Sequence, residues 1–99
     1  MMDNIEPDRI SAAAETLKAI ANERRLHVLC VLLDGKKNVG ELQEATGINQ
    51  SNLSHHLAKM RVLGVLSSER EGKQVYYTIS HPAFRKIIEA LQEMFCPPV

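Results

Sequence analysis

Tryptophan is absent from this 99-residue sequence, and its aromatic complement is two tyrosines and two phenylalanines. A core built from it must be aliphatic. The hydrophobic share of 44% is ordinary for one folded domain, near the lower end of the length that supports a core alone. No apolar run is long enough to span a membrane, and the start of the chain is acidic at Asp3, Glu6 and Asp8 where a secretory signal would be basic. A cytoplasmic domain spanning residues 1–99, with no membrane partner, is the expectation. Net charge is missing as well: twelve Lys and Arg balance twelve Asp and Glu, which counts mildly against a nucleic-acid partner. No nucleophile stands in a pattern with a base and no glycine-rich phosphate loop appears, so neither an enzyme nor a cofactor is expected.

What is present is concentrated between Asn38 and Gly64, in NVGELQEATGINQSNLSHHLAKMRVLG. Asn38 with Glu41 three places on is a capping box, and Gly47 is placed to end the helix it starts. Asn49 then caps a second helix, with Ile48 and Leu53 at the spacing of a hydrophobic staple. Two helices joined this tightly form a helix-turn-helix. In the second, Leu53, Leu57 and Met60, with Leu63 behind them, recur at helical spacing and seat it on the core. Gln50, Ser51, Asn52, Ser54, His55 and Ala58 lie outside. A merely solvated face more often carries Lys and Glu, whereas Gln, Asn, Ser and His hydrogen-bond base edges in a major groove. Lys59 and Arg61 follow, suited to phosphate. His56 falls between the Leu53 and Met60 rows, which predicts a hydrogen-bonded structural role. The competing reading is a plain polar surface helix.

The charge objection weakens locally, because residues 50–76 carry Lys59, Arg61, Arg70 and Lys73 against Glu69 and Glu71. On the N-terminal side, the pattern predicts a helix from about Asp8 to Ile20 with an apolar stripe of Ile10, Ala13, Ala14, Leu17 and Ile20. Asn22 caps a central helix, ERRLHVLCVLLDG, ended by Gly35, in which Cys30 shares a row with Leu26, Leu29 and Leu33 and reads as a packing thiol. After Gly64 the period changes. VLSSER and QVYYTIS are two short strands around Glu71-Gly72-Lys73, a hairpin with Val75, Tyr77 and Ile79 inward and Arg70 and Lys73 at its tip. Ser80 is placed to cap the last helix, whose stripe is Phe84, Ile87, Ile88, Leu91, Met94 and Phe95. The whole is a mainly α chain with a small β-hairpin, a winged helix-turn-helix. Its terminal helices, residues 8–21 and 81–96, offer more apolar surface than so small a core covers, so the chain is expected to form a homodimer through them on two-fold, double-stranded operator DNA.

AIANERRLHVLCVLL, VGELQEATGINQSNLSHHLAKMRVLGVL and GKQVYYTIS, in this order, resemble the ArsR (SmtB/ArsR) winged-helix repressors over about residues 10–95. The resemblance implies a homodimeric transcriptional repressor that leaves its operator when an inducer acts on it, with Ser51, Ser54 and His55 at the positions that reach bases. Many members sense metals. Here the Cys pair that such a site needs around Glu41-Leu42 is missing, and in the last helix only His81 and Glu93 could ligate, with Ala83 and Arg85 interrupting the pattern. No metal site is expected, and a hard-metal site from His27, His81 and Glu side chains is the alternative.

The two cysteines resemble the dithiol of a subgroup responsive to sulfide and persulfide, typified by BigR, SqrR and YgaV, and shared by the HlyU-type regulators of virulence genes. In that pattern one Cys lies in RLxxLC and its partner ends the last helix, which here are Cys30 and Cys96. The resemblance implies redox sensing by this pair, reactive sulfur species as inducer, and control of sulfide or persulfide detoxification genes. Cys96 lies off the Phe84/Leu91/Phe95 stripe, and Pro97 biases its backbone away from helix, so a thiol there has no packing purpose. In a reducing compartment a switchable pair is the better reading than a structural disulfide. A metal-sensing repressor and a protein-interaction module on the same fold remain the competing classes.

Overall fold

Asparagine starts three of the helices. In the computed structural model, which describes residues 6–96, Asn22, Asn38 and Asn49 each accept the backbone N–H three places on, from Arg25 at 3.1 Å, Glu41 at 2.8 Å and Asn52 at 2.9 Å. Such a cap is worth about 1 kcal/mol. These residues open α2 (Glu23–Leu32), α3 (Val39–Thr46) and α4 (Gln50–Val62), and α1 (Pro7–Ile20) precedes them. The Glu41 carboxylate accepts the Asn38 N–H in return at 3.0 Å, completing the expected capping box. Gly47 follows α3 at φ 72, a left-handed conformation that a side chain would strain, and its N–H donates to Gln43 O at 2.8 Å. Asp3 and Pro97, which entered the sequence reading, lie outside the described residues.

The core is aliphatic, as the scarcity of aromatics requires. Val28, Leu29 and Leu32 of α2 meet Leu42 of α3, Leu53, Leu57 and Met60 of α4, Ile20, Val65, Leu66 and Ile88, all buried in one cluster. Phe84 and Tyr77 pack only at its margin. Removing a leucine from such a centre costs about 2–5 kcal/mol. The expected staple is in place, with both Ile48 and Leu53 buried.

The wing differs from the expected two-stranded hairpin. β2 (Leu66–Glu71) and β3 (Gln74–Ile79) pair antiparallel from Leu66 opposite Ile79 to Glu71 opposite Gln74. A third strand, β1 (Lys37–Asn38), adds to the other edge of β3, with Lys37 opposite Tyr77 and Asn38 opposite Tyr76. Asn38 must be extended to cap α3, at φ −88 and ψ 174, and extended backbone is what a strand edge pairs with. Two residues are too few to show the alternation that marks a strand in sequence.

A second correction concerns the start of α5 (Pro82–Phe95). Its cap is His81, whose Nδ1 accepts the Ala83 N–H at 3.0 Å, and not Ser80. The Ser80 hydroxyl instead donates to the carbonyls of Gly64 and Val65, tying the end of β3 to the loop after α4.

His56 is the one buried polar residue among those described. Its Nδ1 accepts from Arg25 Nε at 3.0 Å, while Arg25 Nη1 donates to Ala19 O at 3.2 Å. The expected structural role is therefore met by a bond that pins α4 to the α1–α2 corner. Burial holds the imidazole below its ordinary value of 6.5, and the Arg25 cation pushes the same way, with smaller pushes from His55 and Arg24. Below 6.5 the unfolded chain binds a proton at this position before the folded one does. The stability contributed by neutral His56 is thus fully present above that value and is lost as pH falls through the lower folded pKa. Thermal stability is expected to drop as pH falls below 6.5, and to drop less steeply in His56→Gln, which still offers Arg25 an acceptor. Parallel unfolding profiles for the two proteins would place the titration elsewhere.

Candidate nucleic-acid interface and thiol cleft

α4 is held from one side only. Leu53, His56, Leu57 and Met60 are buried, and every residue expected to face outward, Gln50, Ser51, Asn52, Ser54, His55 and Ala58, is exposed. At 3.6 residues per turn the row opposite the core is Ser51, His55, Ala58 and Val62. Val62 was absent from the expected set, yet at 81% exposure it is the most exposed of the large hydrophobic residues. Its spacing from Ser51 carried the signal, which the apolar sequence VLGVL around it obscured. An exposed methyl pair in such a row is of the apolar kind that is able to contact a thymine methyl. No carboxylate occurs anywhere in α4, whose last turn carries Lys59 and Arg61.

Those two cations differ in freedom. Lys59 is exposed, whereas Arg61 Nη1 donates to Ser68 Oγ on β2 at 3.0 Å, so its guanidinium sits between the helix and the wing. At the hairpin tip Arg70 and Lys73 are exposed as expected, with Arg70 Nε donating to Gly72 O at 3.2 Å. Sequence reasoning missed Lys36. Its ammonium pairs with the Glu71 carboxylate and lies 5.0 Å from the centre of the Tyr76 ring. The pairing raises the Lys36 pKa and offsets one of the two acids of the hairpin, leaving Arg70 and Lys73 against Glu69. A chain of zero net charge thereby presents a locally basic edge.

Cys30 and Cys96, remote in sequence, are both free thiols lining one cleft of about 220 Å³ between α2 and α5. Leu26, Ile88, Leu91, Gln92 and Phe95 complete its wall. Cys30 is half-buried and packs against the margin of the core, and Cys96 is exposed at the end of α5. Burial pushes the Cys30 thiol up, while the polar Gln92 side chain in the same cleft wall pulls it down and the nearby Cys96 adds a smaller upward push. Gln92 was not foreseen, because a polar residue on α5 reads as solvated until the packing with α2 is known. Arg85 Nη2, nearer the start of α5, donates to Leu33 O at 2.8 Å and satisfies a carbonyl at the C-terminus of α2.

Large apolar side chains remain uncovered on both terminal helices. Leu17 on α1 is 54% exposed, and Met94 and Phe95 on α5 are 71% and 74% exposed, with Ile10 and Ile87 beside them in their stripes. Of the residues weighed as metal ligands, His81 is engaged as the α5 cap and His27 is exposed on α2. Among the described residues no group of three His, Cys, Asp or Glu side chains is placed to hold a metal ion, and no helix is long and apolar enough to cross a membrane.

Residues 22–68 match the family described as "Bacterial regulatory protein, arsR family". The chain is 44% identical over 92 residues to the transcriptional activator HlyU of Vibrio cholerae, covering 92% of this chain and 85% of that protein. The solved structure of HlyU from that organism is similar with a TM-score of 0.86 at 41% identity, covering 92% of this chain and 99% of that one. The crystal structure of the transcriptional repressor BigR from Xylella fastidiosa is similar with a TM-score of 0.83 at 32% identity, covering 92% of this chain and 93% of that one. A solution structure from Mycobacterium bovis, described as a homodimeric winged helix-turn-helix DNA-binding domain, is similar with a TM-score of 0.80 at 28% identity, covering 92% and 87%. The order of helices, the three-stranded wing and these likenesses have one conclusion: the chain belongs to the arsR family of bacterial regulatory proteins and is a winged helix-turn-helix transcriptional regulator.

Proposed function

We propose that this regulator is a homodimeric repressor that binds double-stranded operator DNA and releases it when reactive sulfur species or oxidants link Cys30 to Cys96. The observation that carries the reading is the shared cleft of these two thiols, one on each of two packed helices. A thiolate of Cys30 attacks the outer sulfur of a hydropersulfide R–S–SH, forming a new S–S bond and expelling R–S⁻. The Cys96 thiolate then attacks Cys30 Sγ and expels HS⁻, leaving a disulfide. If Cys96 has also gained a sulfur, its terminal sulfur attacks instead and the bridge is one atom longer. Either product ties α5 to α2 and biases the pair of recognition helices away from the spacing that fits two half-sites. The regulated genes on this reading serve sulfide and persulfide detoxification, and the protein acts in the cytoplasm. The likeness to a protein named as an activator favours a second reading, in which the same thiol chemistry governs activation, as a redox regulator of virulence genes.

DNA reading is assigned to the exposed row of α4. Replacing Ser54 and His55 with Ala should weaken operator binding by about 1–3 kcal/mol for each base edge left unbonded, while binding to random DNA changes little. Lys73→Ala should weaken both and flatten the salt dependence by about one unit of slope, as removal of one phosphate partner requires. Equal weakening on operator and random DNA for the α4 variant would mean that those residues only position the backbone.

Dimerisation is assigned to the stripes of α1 and α5. Met94 is exposed in the single chain, so a charge there costs little until a partner covers it. Met94→Glu should therefore remain folded and sediment as a monomer. A dimer of unchanged stability would place the interface elsewhere.

The switch itself is tested by Cys30→Ser and Cys96→Ser. Each reduced variant should bind operator as the parent does, and neither should release it on persulfide treatment. A tenfold fall in the parent's affinity needs a differential of only about 1.4 kcal/mol. Normal release by either variant would exclude the dithiol mechanism.

A further inference from the structure

Cys30 also lines a second depression. This open groove of about 690 Å³ runs between the first turns of α2 and the turn joining α3 to α4. Its size lies within the roughly 300–1,000 Å³ of small-molecule sites. The two spaces that meet at Cys30 differ in character. The cleft shared with Cys96 is walled mainly by aliphatic and aromatic groups, whereas the groove carries the carboxylate of Glu23, the guanidinium of Arg24 and the imidazole of His27, all exposed on α2. Across from them stand the side chains of Asn49 and Asn52 at the start of α4.

Arg24 is not recruited by any hydrogen bond or ion pair found among the described residues, and neither is Glu23. An anion and a cation in the first turn of α2, on the wall of a groove that also reaches a thiol about two turns further on, match a ligand that carries an ammonium, a carboxylate and a reactive sulfur. We infer that the groove bounded by Glu23, Arg24 and His27 receives a zwitterionic, amino-acid-derived persulfide and delivers its outer sulfur to Cys30, while Cys96 acts from the cleft it shares with Cys30. The inference rests on the thiol-switch reading and adds to it the chemical class of the sulfur donor and its side of approach. The carboxylate of the donor faces Arg24 and His27, and its ammonium faces Glu23. Cys30 Sγ attacks the outer sulfur, the donor's S–S bond breaks, and the donor leaves through the groove as its thiolate. Delivery and closure then use different spaces beside Cys30, only one of which Cys96 lines, so the departing molecule does not obstruct Cys96.

The test compares two donors with the same reactive sulfur: L-cysteine hydropersulfide, and the hydropersulfide of N-acetylcysteine amide, which lacks both α-charges. The rate of sulfur addition at Cys30 is read by mass spectrometry in the full chain, in Arg24→Gln and in Glu23→Gln. Each variant should slow the zwitterionic donor by roughly twofold to fivefold at low salt, as removal of one exposed charge pair implies. Neither should slow the uncharged donor, and the difference should shrink as salt rises. Equal rates for all three proteins with both donors would overturn the groove assignment while leaving the thiol switch intact. If neither donor modifies or links the cysteines in any of the proteins, the switch reading itself falls.

Discussion

The apolar face of α2 is the constraint on which the rest of the molecule depends. Val28, Leu29 and Leu32 are wholly or almost wholly buried, and they form the wall against which α3, α4 and α5 are seated. A protein of this size with no tryptophan has few other means of excluding water. Burial of each such side chain is worth about 1.5–3 kcal/mol, and these contacts are shared by helices with different tasks. The helix that reads outward and the helix that ends next to Cys96 therefore rest on one rigid element.

Polar bonds fix how those helices sit. Arg25 joins the corner of α1 and α2 to His56 on the buried side of α4, and Arg85 joins α5 to the last turn of α2 through Leu33 O. Hydrophobic packing alone is non-directional, whereas a guanidinium donates along fixed lines. Arg25 and its two acceptors thus add a directional tie between α4 and the α1–α2 corner. On the thiol-switch reading this explains the economy of the device. A bond formed at Cys30 acts on the same helix that carries Arg25, little more than one turn away, so a change at the thiol has a short, packed route to the recognition helix.

Charge is arranged by pairing more than by composition. The overall balance of twelve positive and twelve negative side chains hides a recognition helix without acids and a wing whose Glu71 is matched by Lys36 from the loop before β1. Lys36 does double service, since its ammonium also lies over the Tyr76 ring of β3. Phosphate binding responds to such local fields within about a Debye length, roughly 10 Å, and is insensitive to acids on distant helices.

Much of this was legible in the chain, because helix starts, helix stops and the seating of α4 are local. Asn22, Asn38, Asn49 and Gly47 act on groups within four residues of themselves, and the Leu53, Leu57 and Met60 period needs no knowledge of what lies beneath it. Residue order alone therefore specifies the helices, the helix-turn-helix and its outward polar row, down to the structural role of His56. Whatever depends on neighbours distant in sequence was settled only by packing. The two-residue strand at Lys37–Asn38 exists because β3 is there to pair with it, and Ser80 yields the α5 cap to His81 because its hydroxyl reaches Gly64 and Val65. The meeting of Cys30 with Cys96 and Gln92, and the second groove that Cys30 lines, likewise follow from how α5 and the α3–α4 turn dock on α2. Such contacts depend on loop closure and on the direction of side chains across helices, which residue spacing within one helix does not encode.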